Sequence, residues 1–140
     1  MAVSNQPAAA KGIVTLEQLI AVQERVLELL EKEAVVPDAV RCCFHHPDAT
    51  VPALREMCRC RKPAPGMLLD AAAELAVDLR TSWMIGDTDS DIMAGAAAGC
   101  RTILIASPCS AHKRGGAAPA DVHAVDLMAG ADAILVASAP

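Results

Sequence analysis

The sequence predicts an α/β domain built on a mainly parallel sheet. Two observations lead there. Short apolar runs of strand length, such as Ser82–Gly86 and Thr102–Ile105, alternate with longer stretches of helical period. The apolar share is 54%, much of it alanine, and Phe44 and Trp83 are the only aromatics. Such a composition suits helices packed closely on a sheet. At 140 residues the chain fits a single domain, residues 1–140, long enough for a core that needs no staples.

The elements follow in order. Thr15-Leu16-Glu17-Gln18 is a capping-box pattern, and Leu16, Leu19, Ile20, Val26, Leu27 and Leu30 continue it at helical spacing, which predicts a helix over 15–33. The run from Val35 to Cys43 reads as a strand. Pro65-Gly66 announces a second helix with a buried stripe of Leu68, Ala72, Leu75 and Leu79. Ser82–Gly86 is a buried strand with Asp87 at its end. Asp91 to Ala98 is a short helix closed by Gly99, and Thr102–Ile105 is the next strand. Residues 107–120 read as a loop, 120–125 as a short strand and 126–136 as a last helix.

Charge and segment patterns exclude several classes. Twelve Lys and Arg against seventeen Asp and Glu give a net charge of −5, so no basic footprint argues for nucleic acid. MAVSNQPAAAKG lacks the charged and apolar regions of a signal peptide, and no apolar run approaches a membrane span. The expectation is a soluble, cytoplasmic protein. In a reducing compartment, clustered cysteines point to metal or catalysis before disulfides.

Four of the six cysteines fall between Cys42 and Cys60. Cys43-x-His45, twelve intervening residues and Cys58-x-Cys60 supply two paired ligand sets, and zinc favours four N/S ligands in a tetrahedron. The spacing is not the usual C-x2-C, and reduced cysteines with surface histidines remain the alternative. Cys42 and His46 are near-miss ligands; Cys100 and Cys109 read as ordinary small residues. With four protein ligands a zinc ion here is structural, pinning a loop over 42–61.

Gly86-Asp87-Thr88-Asp89-Ser90-Asp91 places carboxylates at a strand's carboxyl end and in the first turn of a helix, where open α/β sheets gather ligands. Asp87 and Asp91, four apart, suit a hard cation such as Mg²⁺; Asp89 suits a cap. Lys62 precedes a helix and offers a point charge for a phosphate oxygen.

Taken together, these segments resemble the haloacid dehalogenase superfamily of phosphohydrolases, most closely its subgroup of heptose bisphosphate and histidinol-phosphate phosphatases. The residues carrying the likeness are Ser4-Asn5-Gln6, Cys43–Pro47 with Cys58-Arg59-Cys60, the run Arg61-Lys62-Pro63-Ala64-Pro65-Gly66-Met67, and Met84–Asp87 through Asp91 to Gly95. The resemblance implies a Rossmann-like parallel sheet with flanking helices and a zinc-loop insertion. It implies Mg²⁺-dependent hydrolysis of a small phosphorylated metabolite through an aspartyl-phosphate, by a monomer. By position, Ser4 resembles the hydroxyl that bonds the transferring phosphoryl group, Asn5 and Arg61 substrate-binding residues, and Lys62 the lysine that stabilises phosphoryl charge. Asp87 resembles the Mg²⁺ ligand and Asp91 a supporting carboxylate, while Cys43, His45, Cys58 and Cys60 match structural zinc ligands. Thr88 stands where heptose enzymes often carry a basic residue.

The superfamily opens with an Asp-x-Asp-Gly strand, central in its sheet, that supplies nucleophile and general acid. Here the first aspartate is Asp38, and the only Asp-x-Asp runs are those of 87–91. The expectation is therefore a phosphatase domain without its first strand, inactive over residues 1–140. Two other readings stand beside it: a non-catalytic, zinc-stabilised phosphate-binding domain, and a domain completed by a strand from another chain.

Overall fold

A computed structural model describes residues 1–116 and 119–138. The chain forms two compact units, Met1–Arg61 and Lys62–Pro140.

The first unit begins with a strand that the sequence reading did not anticipate. β1 (Ala2–Asn5) pairs in parallel with β2 (Val40–Cys43), in a register that sets Ser4 against Cys42 and Asn5 against Cys43. Residues 35–39, expected as part of that second strand, lie outside it; Pro37 lacks a ladder donor, and pairing with β1 starts only at Val40. The crossover between the strands is α1 (Leu16–Lys32). Its predicted capping box is present: Thr15 Oγ1 accepts from the Gln18 amide at 3.2 Å, and Gln18 Oε1 accepts from the Thr15 amide at 2.9 Å. The helix ends at Lys32 with Glu33 as its cap, and just beyond it Ala34, at a φ of 58°, turns the chain out of the α region. Ahead of α1, the buried Ala9 and Ala10 form a tight turn, and the Ala10 carbonyl accepts from the amides of Thr50 and Val51. Those two bonds dock the middle of the cysteine loop on the β1–α1 connection.

The second unit is a parallel three-stranded sheet, ordered β3 (Trp83–Gly86), β4 (Arg101–Ile105), β5 (Val122–Ala124). α2 (Gly66–Leu75) stops earlier than predicted because Ala76 takes the left-handed conformation, φ 54°. α3 (Asp89–Ala98) starts earlier, at a Thr88 cap, and closes on Gly99 at φ 86° as expected. α4 (Leu127–Ala137) is capped by Asp126, which accepts from the Ala129 amide at 2.8 Å. Met67, Leu68, Met84, Ile92, Ile103 and Ala124 are among the core residues. Two glycines set its tightness. A Cβ on Gly95 would lie 2.5 Å from that of Met84, and one on Gly130 would lie 3.2 Å from Ile105 Cδ1, so helix backbone packs directly on strand. At the foot of β4, Asp121 accepts from both the amide (2.7 Å) and the hydroxyl (2.9 Å) of the buried Thr102, tying the strand's start to the segment before β5. Arg101 stacks over Trp83, 3.8 Å from the ring centroid, across the first rung of the β3–β4 ladder.

Parallel strands with helical crossovers are the α/β architecture that the alternation predicted. Among the described residues no helix is long and apolar enough to cross a membrane.

Candidate metal and phosphate sites

In the first unit, strand alternation sets which cysteine joins the cluster that could hold a metal ion. Cys43 is buried where Cys42 is only half-buried, since neighbouring residues of a strand face opposite ways. Past the strand, His46 turns into its own loop, its Nδ1 accepting from the Asp48 amide at 3.1 Å, while His45 Nδ1 faces Cys60 Sγ at 3.6 Å. The four sulfur and nitrogen atoms of Cys43, His45, Cys58 and Cys60 all lie within 4.8 Å of one another. Sulfur separations are 3.0 Å for Cys43–Cys60, 3.4 Å for Cys43–Cys58 and 2.8 Å for Cys58–Cys60. Three thiols and one imidazole, with no carboxylate among them, are a donor set that fits zinc. Burial raises Cys43 and Cys60 above the ordinary thiol value, and the thiol neighbours of Cys60 raise it further. For Cys58 burial acts the same way, but hydrogen bonds from Cys60, Cys43 and His45 outweigh it and bring the thiol down to about 7. Of the three, Cys58 alone is shifted towards the thiolate, the form that binds metal.

Groups around the cluster orient it. His45 Nε2 lies 3.4 Å from Glu56 Oε2, the carboxylate–imidazole arrangement that aims a ligating histidine. Arg61 Nη1 donates to the His45 carbonyl at 3.2 Å. The other first-unit residues expected at a site are Ser4 and Asn5 of β1; Ser4 Oγ accepts from Gln6 Nε2 at 2.9 Å.

In the second unit, Lys62 and Asp91 form a buried ion pair. Their Nζ and Oδ1 are 2.7 Å apart, with side chains 9% and 8% exposed. Asp91 stands in the first turn of α3, and its other oxygen accepts from Thr88 Oγ1 at 2.7 Å and from the amides of Thr88 and Asp87 at 3.0 and 3.2 Å. Burial alone would raise the Asp91 carboxyl, yet the Lys62 contact and charge and the Thr88 bonds hold it below the usual range. Gly86 makes the approach possible: a Cβ there would sit 2.2 Å from that of Asp91. Both Asp91 oxygens are engaged, and through one of them Asp91 holds the Asp87 amide.

Asp87 leaves the carboxyl end of β3. Among the described residues its carboxylate forms no hydrogen bond or ion pair, while its carbonyl accepts from Ser110 Oγ at 2.9 Å and from Arg114 Nη1 at 3.3 Å. Asp89 Oδ2 accepts from the Gly115 amide at 2.7 Å, so Asp89 fastens a loop besides sitting in the first turn. Ser110, Arg114 and Gly115 were not singled out from sequence. They sit in a stretch whose Pro, Gly and Ala content signals only a loop.

A parallel sheet with an aspartate at a strand's carboxyl end and a lysine paired to the following helix defines a class, the haloacid dehalogenase-like hydrolases. A model of that family, described as HAD-hydrolase-like, matches residues 59–129, just over half of the chain, and the chain belongs to it. Among its relatives is the D-glycero-beta-D-manno-heptose-1,7-bisphosphate 7-phosphatase of Yersinia pestis, 41% identical over 103 residues, covering 74% of this chain and 55% of the relative. The enzyme of the same name from Photorhabdus laumondii is 45% identical over 92 residues, covering 66% and 49%. The chain spans about half the length of these curated relatives. A crystal structure of D,D-heptose 1,7-bisphosphate phosphatase from B. bronchiseptica, complexed with magnesium and phosphate, superposes with a TM-score of 0.81 at 31% identity. That match covers 98% of this chain and 74% of the other.

Proposed function

We propose that these residues form the phosphate- and metal-holding part of a Mg²⁺-dependent phosphatase for a small phosphorylated sugar, most simply the 7-phosphate of D-glycero-D-manno-heptose 1,7-bisphosphate. The observation that carries the reading is the buried Lys62–Asp91 pair beside Asp87 at the carboxyl end of β3. Around it stand the 7-phosphatase relatives and the magnesium–phosphate complex of the structural neighbour.

Each residue then has a task. Lys62, aimed by Asp91, meets negative charge on the phosphoryl oxygens. Asp87 offers a hard carboxylate oxygen to Mg²⁺, and Asp91 steadies it through the amide bond. A bound Mg²⁺ would neutralise phosphate charge and orient the phosphoryl group. Ser4 donates its hydroxyl to the transferring group, and Asn5 and Arg61 recognise the substrate, as their sequence context implies. Cys43, His45, Cys58 and Cys60 hold a structural Zn²⁺ that keeps the Arg61 end of the loop in place. The working form is a monomer in the reducing cytoplasm, where six free thiols persist.

Nucleophilic attack needs an aspartate that these 140 residues do not contain: the only Asp-x-Asp runs lie within 87–91, where Asp91 is bound to Lys62. The same fact favours a second reading, a zinc-stabilised phosphate-binding domain without turnover. The test is calorimetry with inorganic phosphate and Mg²⁺, paired with phosphate-release assays on the heptose bisphosphate. Residues 1–140 are expected to bind phosphate, to lose binding in Lys62→Ala, and to release none. A longer chain supplying an Asp-x-Asp-Gly strand is expected to turn over. Turnover by residues 1–140 would overturn the missing-nucleophile argument, and absent phosphate binding would overturn the rest.

A further inference from the structure

The carbonyl oxygens of Asp87, Ile105 and Ser107, at and just beyond the carboxyl ends of β3 and β4, converge on one guanidinium nitrogen. Arg114 Nη1 lies 2.7 Å from the Ser107 oxygen, 3.3 Å from that of Asp87 and 3.5 Å from that of Ile105. It also donates to Ser110 Oγ at 2.8 Å, and that hydroxyl in turn has two carbonyl acceptors within reach, Asp87 at 2.9 Å and Ser107 at 3.2 Å. Ser110 is 5% exposed. Three carbonyl dipoles pointing at one place repel each other, and a cation between them relieves that repulsion. Arg114 is that cation. A donor that is itself charged also polarises the hydroxyl it bonds, which strengthens the onward bond to Asp87.

The effect on Asp87 is specific. Its amide is held from one side by Asp91 Oδ2 at 3.2 Å, and its carbonyl from the other by Ser110 and Arg114. With both flanking peptide groups held, the carboxylate keeps only its side-chain torsions. We propose that Arg114, acting through Ser110, is a positioning residue that sets the Asp87 carboxylate for its divalent cation. This rests on Asp87 being the metal ligand. Arg114 cannot help the metal by its charge, because a positive group near a cation site repels the cation. Any loss of metal binding on its removal is therefore a loss of position.

The experiment is a Mn²⁺ titration of the ¹⁵N-labelled 140-residue chain in the presence of inorganic phosphate, following paramagnetic broadening of the amides from Gly86 to Asp91. Broadening centred on Asp87 is expected in the unchanged chain and is expected to vanish in Asp87→Asn. If either fails, the metal reading falls and the clamp with it. Groups that orient metal ligands typically govern 10–100-fold in affinity, so Arg114→Met should need about 10-fold more Mn²⁺ for equal broadening. Arg114→Lys, which keeps a cation at the carbonyls, should recover most of that loss. Ser110→Ala deletes only the relay hydroxyl and should need about threefold more, scaled down from the same range; it decides the question if Arg114→Met does not fold. Unchanged or tighter binding in a folded Arg114→Met, or an unchanged titration in Ser110→Ala when that variant decides, would overturn the clamp while leaving Asp87 as the ligand.

Discussion

Lys62 and Asp91 meet at 2.7 Å in a setting where both side chains are less than a tenth exposed. Lys62 opens the second unit ahead of α2, and Asp91 lies in the first turn of α3. The pair thus joins two helices' entry segments on one side of the sheet. An ammonium carries three donors, and Asp91 receives one of them, which fixes the direction of the rest. The carboxylate is equally committed, since its second oxygen gathers the Thr88 hydroxyl and two amides. One contact therefore sets the lysine, the helix cap and the Asp87 amide.

Removing the lysine should be costly. Lys62→Met leaves a buried carboxylate without its counter-charge, and breaking such a pair costs about 3–5 kcal/mol. The double change Lys62→Met with Asp91→Asn should recover part of that loss, because no charge then stays buried. Urea unfolding of both variants measures the difference. Equal stability of the single and double variants would show that the pair contributes nothing of its own.

Gly86 tests the same contact from the backbone. Its φ is ordinary, so the reason for glycine is space: an added Cβ would meet Asp91 Cβ at 2.2 Å and Oδ2 at 2.7 Å. Gly86→Ala should push Asp91 off Lys62 at a cost of about 1–3 kcal/mol. Phosphate affinity should fall along with stability, whereas Gly99→Ala, strained by its φ of 86° but with nothing within 4 Å, should cost stability alone. Calorimetry on the two variants separates these outcomes.

What the sequence revealed divides by range of interaction. The α1 cap was legible because Thr15 and Gln18 are three residues apart and their reciprocal bonds are local. The cysteine cluster was legible in outline from its paired spacing. The same spacing put Cys43 and His45 ahead of Cys42 and His46, and the structure adds the physical difference: Cys43 is buried, while His46 bonds the Asp48 amide. β1 was invisible, because four residues carry no period and their pairing lies nearly forty residues along, at Val40–Cys43. Ser110 and Arg114 meet Asp87 across 23 and 27 residues, and nothing local marks them. The end of α2 depends on Ala76 at positive φ, where a glycine would have signalled the stop.

The cysteine cluster should hold the first unit together. α1 buries none of its residues fully, and the 42–61 loop has few buried apolar residues of its own, Cys43 and Ala49. A strong chelator should therefore lower the melting temperature and expose Cys43, Cys58 and Cys60 to a thiol reagent. Metal analysis should find one zinc per chain, lost in Cys60→Ala. A zinc content near zero with an unchanged melting temperature would leave the four residues as plain thiols and imidazole.

Acid should act on the second unit through Asp91. Its folded pKa lies below the ordinary value of 3.8, because Lys62 and Thr88 favour the charged form more than burial opposes it. A group depressed in the folded state contributes stability that is complete above its unfolded pKa and is lost as pH falls through the folded one. The loss should therefore begin near pH 4 and deepen below it. Asp121 shifts in the same direction through its bonds to Thr102, but it is an exposed residue and adds less. Melting temperature measured from pH 7 down to pH 2 should stay level above about pH 5 and then fall. In Asp91→Asn the chain should start less stable and fall less steeply, since one titrating group is gone. An acid limb of equal slope in both would assign the transition to other carboxylates and remove Asp91 from the account.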